Sequence, residues 1–419
     1  MSAMMKLGAF LMPTGHHIAA WRHPRAAADA GIDVDHMIGL AQAAERGLFD
    51  LVFFEDAAGV REARVEIASQ TSRSLGFEPI SLLSALAAHT RNIGLVATAS
   101  SSYNEPYALA RAFATLDLVS GGRAGWNLVT SASEIEAANF GAQGLRTHGD
   151  RYARAGEFAN IVARLWNPGN RYGTVDHDGA CFAVSQGLGI PASPQGAPVV
   201  VQAGSSDVGR DLAARTADVV FVATQTFDAA KAFYVDVKQR VAKAGRDPNH
   251  LKIMPGVSPV VGKTREEARS KFDELQALIP DEVGLALLAS YLSTDALQGL
   301  PLDGPMPDLK AHEGMQSRQQ LVIDQSRREG LSIRQVAQHF AGARGHWRLI
   351  GTAADIADEL EAWFVGGACD GFNVMPAFFP GELDDFVDLV VPELQRRGLF
   401  RTVYEGHTLR ANLGLGVPA

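Results

Sequence analysis

Two textures alternate along the 419-residue chain. Short runs in which nearly every position is apolar are separated by longer stretches whose apolar residues recur at i, i+3 and i+4. The first texture predicts strands at Leu7 to Pro13, Leu51 to Asp56, Ile93 to Ser100, Ala124 to Ser131, Pro198 to Ser205, Asp218 to Thr224, Leu251 to Gly262 and Gly371 to Pro376. Near-continuous apolar strands of this kind belong to parallel sheets covered on both faces. The second texture predicts helices, among them "DVDHMIGLAQAAERG", "EPYALARAFATLDLVSGG", "DRYARAGEFANIVARLW", "DVGRDLAARTA" and "TAADIADELEAWFVGG", several of which end in glycine. Eight strands, each followed by helix, favour an α/β fold of the (β/α)8 TIM-barrel type over an open doubly wound sheet.

Such a barrel accommodates the whole chain, residues 1–419, as a single domain with insertions. Residues 167–195, rich in Gly, Pro and Asp, read as an inserted hairpin. Residues 276–345 fall between the seventh and eighth strands and mix helical patterns with "LPLDGPMPD". An insertion of that length predicts a lid or an oligomer contact.

Composition narrows the class. With 47% hydrophobic and 20% charged residues the chain can bury a large core. The net charge of −9, without any Lys/Arg run, leaves no electrostatic footprint for nucleic acid or an anionic membrane. Cys181 and Cys369 lack disulfide or metal spacing and read as buried thiols. The N-terminus reads as a first strand rather than a signal peptide, and "VGLALLASYL" is well short of the ~20 residues that span a bilayer. A cytoplasmic location is expected.

In a TIM barrel the chemistry sits at the carboxyl ends of the strands. Here each run turns polar at that same end. The first is followed by Thr14, His16, His17, Trp21 and Arg22; the second ends in Glu55-Asp56; the third in Thr98 and Ser100 to Tyr103; the fourth, "RAGWNLVTSAS", in Asn127, Thr130 and Ser131; the fifth in Gln202-Ala203-Gly204-Ser205-Ser206. Any single Ser or Thr in such a place caps a helix, but five strands changing together predict a wet pocket. In "VVVQAGSSDVGRDL" Gly204 permits a tight turn, and the helix start behind Ser205 and Ser206 favours an anion such as phosphate. His148 and Tyr152, four apart in "HGDRYARAGEF", face the same way if the helix reaches back to His148; alone, the pair reads as surface or capping residues more readily than as catalytic ones.

Other chemistries find less support. His16 and His17 are adjacent and no later strand ends in His, which argues against the metal site of a barrel hydrolase. "GLGIPA" opens no helix and is not a dinucleotide fingerprint. There is no Gly-x-Ser-x-Gly elbow.

The blocks "HHIAAWRHP", "AERGLFDLVFFED", "EPISLLSALAAHTRNIGLVATASSSYNEPYALARAFATLDLVSGGRAGWNLVTS", "HGDRYARAGEF", "PQGAPVVVQAGSSDVGRDLAARTADVVF" and "LIGTAADIADELEAWFVGGACDGFNVMP" carry a resemblance nearly end to end. The chain resembles the flavin-dependent monooxygenases grouped with nitrilotriacetate and dibenzothiophene-sulfone monooxygenases, within the bacterial luciferase-like superfamily. The resemblance implies a barrel that takes reduced FMN from a separate NAD(P)H:flavin reductase and, through a flavin peroxide, oxygenates a small amine, organosulfur compound or other xenobiotic. It implies Asp56, Thr98 and Asn127 beside the flavin ring, and His148, Tyr152, Gly204, Ser205 and Ser206 at the ribityl phosphate. It implies His16, His17, Trp21 and His346 on the substrate side, no metal, and a homo-oligomer. Two departures stand out: Glu55 replaces the small residue common before the Asp, and "AGSS" replaces "AGAS". A deazaflavin-dependent oxidoreductase on the same fold, a metal-dependent barrel hydrolase using His16 and Asp56, and a non-catalytic flavin- or partner-binding barrel are the competing readings.

Overall fold

The computed structural model describes residues 4–416 apart from 61–64, 72–75, 143, 293, 295 and 310–315. Its strands are β1 (Lys6–Leu11), β2 (Leu51–Phe54), β3 (Gly94–Ser100), β4 (Ala124–Val129), β5 (Thr174–Asp178), β6 (Ala183–Gln186), β7 (Val199–Gln202), β8 (Val219–Val222), β9 (Lys252–Val261), β10 (Trp347–Gly351) and β11 (Gly371–Val374). The parallel order β9-β11-β1-β2-β3-β4-β7-β8 closes because β8 pairs back onto β9, from Val219↔Lys252 to Val222↔Pro255. All eight strands read from the sequence form this barrel, and the fold is a (β/α)8 TIM barrel. Every residue of β1 is buried, as a strand enclosed by side chains within and helices without requires.

Helices follow the strands: α1 (Val34–Arg46), α2 (Pro79–His89), α3 (Pro106–Val119), α4 (His148–Trp166), α5 (Asp207–Thr216), α6 (Phe227–Lys243) and α7 (Arg265–Ala277). Their starts are fixed by side chains that accept the first free amides: Asp33 for α1, Thr147 for α4, Ser206 for α5, Thr226 for α6 and Thr264 for α7.

In the first insertion β5 and β6 form an antiparallel hairpin. Buried Asp117 at the end of α3 ties the returning chain down, accepting from Ser193 Oγ, from Gln195 Nε2 at 2.6 Å and from Ala124 N at 3.0 Å. The second insertion carries α8 (Asp281–Leu292), α9 (Gln316–Glu329) and α10 (Ile333–Ala343). It has its own apolar cluster, built on Leu288, Leu292, Val322, Val336 and Phe340. A second cluster, with Ile18, Ala19, Val283 and Ala341, joins it to the loop after β1.

One strand was not read from the sequence, and one expectation is corrected. "WRLIG" is strand β10, which pairs with the upper half of β9 from Trp347↔Val257 to Gly351↔Val261; it leads into α11 (Ala353–Val365). Cys369 is buried, with its thiol pushed up by burial, but Cys181 lies exposed beside the hairpin. Among the described residues no helix is long and apolar enough to cross a membrane.

Candidate active site

A cavity of about 480 Å³ opens at the carboxyl ends of the barrel strands, roofed by the second insertion. Its floor is aromatic. Phe10 of β1 meets Phe53 of β2 at 4.8 Å and Phe221 of β8 at 5.7 Å, both edge to face. Phe221 in turn stacks under His346 at 5.1 Å and 15°. Gly256 makes room for that histidine, since a Cβ there would fall 2.3 Å from His346 Nδ1.

One wall is a chain of hydrogen bonds running between strands. Thr98 Oγ1 donates to Phe54 O at 2.7 Å and accepts from Asn127 Nδ2 at 2.8 Å. Gln202 Nε2 donates to Gly209 O. In this wall two buried acceptors, Asn127 Oδ1 and Gln202 Oε1, have no hydrogen-bond partner among the described residues. A buried polar atom left so costs ~1–3 kcal/mol, a cost that a ligand donor would remove.

The far end is built by the Gly204-Ser205-Ser206 turn and the start of α4. His148 is the first residue of that helix, so the four-residue spacing does place it beside Tyr152, ring centroids 4.7 Å apart. The Tyr152 hydroxyl stands over the turn: a Cβ on Gly204 would lie 3.4 Å from it and one on Gly209 3.1 Å. Ser206 is the helix cap that its position predicts, accepting from Gly209 N at 3.2 Å. Ser133 caps the short helix Glu134–Asn139 in the same way.

Nine of the twelve residues singled out in the sequence therefore line one cavity: Asp56, Thr98, Asn127, His148, Tyr152, Gly204, Ser205, Ser206 and His346. The other three lie behind its wall. His16 is buried with Nε2 donating to Phe10 O at 2.8 Å and Nδ1 accepting from Arg344. His17 donates Nε2 to Gln276 and accepts from Ala19 N through Nδ1, and burial pushes it down to about 4, so it is neutral. Half-buried Trp21 donates to Gln70 O at 3.3 Å. Sequence reasoning missed Arg344, which reaches into the cavity and pairs with Glu55 at 2.8 Å. It also missed the Phe10–Phe53–Phe221 floor, because an aromatic residue inside an apolar strand gives no sign that its outer edge meets solvent. Arg344 had a signal: a basic residue in the otherwise apolar and small run "FAGARGHW".

The luciferase-like monooxygenase family pattern matches residues 9–369. The chain belongs to that family. It is 45% identical to nitrilotriacetate monooxygenase component A of Aminobacter aminovorans, over 99% of this chain and 97% of that one. It is 38% identical to dibenzothiophene-sulfone monooxygenase of Rhodococcus erythropolis, over 96% and 94%. Among solved structures, a riboflavin lyase crystallised with modified FMN and riboflavin superposes with a TM-score of 0.88 at 30% identity, covering 99% and 96% of the two chains. The enzyme is thus a luciferase-like, flavin-dependent monooxygenase, and the cavity at the barrel mouth is where the fold presents such a site.

Proposed function

We propose that the enzyme is the oxygenase of a two-component system: it binds reduced FMN delivered by a separate NAD(P)H:flavin reductase and oxygenates a small organic substrate with O2. The observation that carries this is the wall with its two buried, unsatisfied acceptors, Asn127 Oδ1 and Gln202 Oε1. The isoalloxazine edge alternates N–H donors with acceptors and fits such a wall. In this reading Asn127, fixed by Thr98, and Asp56 at the rim orient the ring. Ser205, Ser206, His148 and Tyr152 receive the phosphate at the α5 start, where free amides and the helix dipole favour an anion. Reduced flavin supplies the electrons that activate oxygen; the protein supplies binding, orientation and exclusion of water.

Its own residues suit that task. Phe10, Phe53 and Phe221 form a dry floor, and α8 contributes Val283 and Leu287 as roof. His346, stacked on Phe221, is the residue placed to orient substrate against the ring. His16 acts from behind the wall, by holding Arg344. The insertion 276–345 is assigned as the lid. Quenching of flavin fluorescence on titration is the direct test. Saturable binding of FMN, with oxygen consumption dependent on a flavin reductase and NADH, is expected; failure to bind either oxidised or reduced FMN overturns the proposal.

A further inference from the structure

The flavin reading leaves one charged feature of the cavity unused. Glu55, just past the end of β2, and Arg344, at the C-cap of α10, form an ion pair across the mouth. Both side chains are largely removed from solvent, at 20% and 9% exposure. Arg344 has left-handed backbone, φ 54°, which turns its side chain back toward the barrel. Its other terminal guanidinium nitrogen faces Met12 Sδ and His16 Nδ1, and Cζ lies 5.8 Å from the Phe10 ring centroid. The guanidinium is thus fixed from several sides.

The charges elsewhere in the cavity decide what this pair does. Among the described lining residues the acids are Glu55, Asp56 and Glu136, and the guanidinium groups are Arg151 and Arg344. Arg151 precedes Tyr152 on α4 and belongs to the phosphate end. Among the described lining residues Arg344 is therefore the one guanidinium at the end left for substrate, and Glu55 already holds it. An entering carboxylate would have to share Arg344 with Glu55 while facing Asp56, and would lose its own hydration in doing so.

We infer that Glu55 is a specificity-determining residue: by holding Arg344 in an ion pair it denies the site a cation for substrate carboxylates, so the enzyme takes an uncharged substrate. This rests on the flavin reading, which decides which end of the cavity receives substrate. The aromatic floor and the aliphatic roof suit an uncharged, largely apolar molecule. The pair differs from a bare buried arginine, which would select anions.

The test is calorimetric titration with nitrilotriacetate in metal-free buffer, on wild type, Glu55→Gln, Glu55→Ser and the double variant Glu55→Gln/Arg344→Met. FMN affinity is measured separately for each protein. Wild type is expected to show no saturable binding at millimolar nitrilotriacetate. Either Glu55 variant is expected to gain at least ~10-fold in affinity, the scale of one charge-assisted hydrogen bond, and the double variant to lose that gain. Wild type binding nitrilotriacetate as tightly as the Glu55 variants would overturn the inference, as would a gain that survives removal of Arg344. Intact FMN binding with no gain in either Glu55 variant overturns this inference alone; loss of FMN binding in wild type overturns the reading beneath it.

Discussion

The Oγ of Ser206 already accepts the Gly209 amide, so a phosphate bound at this turn has to share the hydroxyl with the helix it caps. A hydroxyl has one donor and two acceptor lone pairs, and the donor is what remains for an anion. Ser206→Ala therefore removes two things at once: a cap worth ~1 kcal/mol of stability and a phosphate bond worth ~1 kcal/mol of FMN affinity. Riboflavin, which has no phosphate, separates them. FMN affinity is expected to fall about fivefold, by that same ~1 kcal/mol, while riboflavin affinity holds. An equal loss for both ligands would mean that Ser206 acts only through the shape of the turn. The same double use explains the polar tail of "RAGWNLVTSAS". Asn127 belongs to the cavity wall, Ser131 donates to Ser100, and Ser133 caps the next helix. Residue type and position at a strand end made the cavity legible; they did not tell wall from cap, because that depends on which way each side chain turns.

At the scale of elements, the insertion proposed as the lid carries its own core yet shares a seam with the barrel. Leu288 is fully buried among Leu292, Val336 and Phe340, whereas Val283 and Leu287 of the same helix line the cavity. Truncation at Leu288 should loosen the lid without touching the barrel core. Leu288→Ala is expected to cost ~2–4 kcal/mol within the lid, seen as faster amide exchange across α8 and α10 with protection of β1 to β4 unchanged. Exchange that rises equally in the barrel strands would show that the lid does not open by itself. The barrel elements were legible because strands enclosed on both faces leave long apolar runs, and their helices leave a 3.6-residue period. Strand β10 was not. Its five residues alternate too briefly to declare a period, and among the described residues its one strand partner is the end of β9, a contact between residues 90 apart in sequence. His16, His17 and Trp21 lie behind the wall for a related reason: the loop after β1 packs against the second insertion, which turns these side chains away from the cavity.

For the molecule as a whole, buried ionisable groups set how stability follows pH. Glu382 is fully buried on the helical segment after β11, where it accepts Val261 N at 3.0 Å. Its nearest cation, Lys271, lies 3.6 Å away but is already engaged by Asp385 and by Val261 O, both at 2.7 Å. That shared lysine does not offset the loss of water, and burial pushes the carboxyl up to about 7. An unfolded glutamate titrates near 4.5. The folded state therefore binds the extra proton across that interval, and the stability it contributes is present below about 4.5 and lost as pH rises through about 7. The shift corresponds to roughly 3 kcal/mol when fully expressed. His17 runs the other way: held neutral in the fold, it costs stability as pH falls from the unfolded value of 6.5 toward about 4. Urea denaturation at pH 5.5 and 8 isolates the glutamate when wild type is compared with Glu382→Gln, which stays uncharged at both. Wild type is expected to lose ~2 kcal/mol more than the variant between the two pH values, the part of the full effect that falls above pH 5.5. An identical pH dependence in the two proteins would mean that Glu382 is ionised in the fold, with Lys271 holding its charge after all.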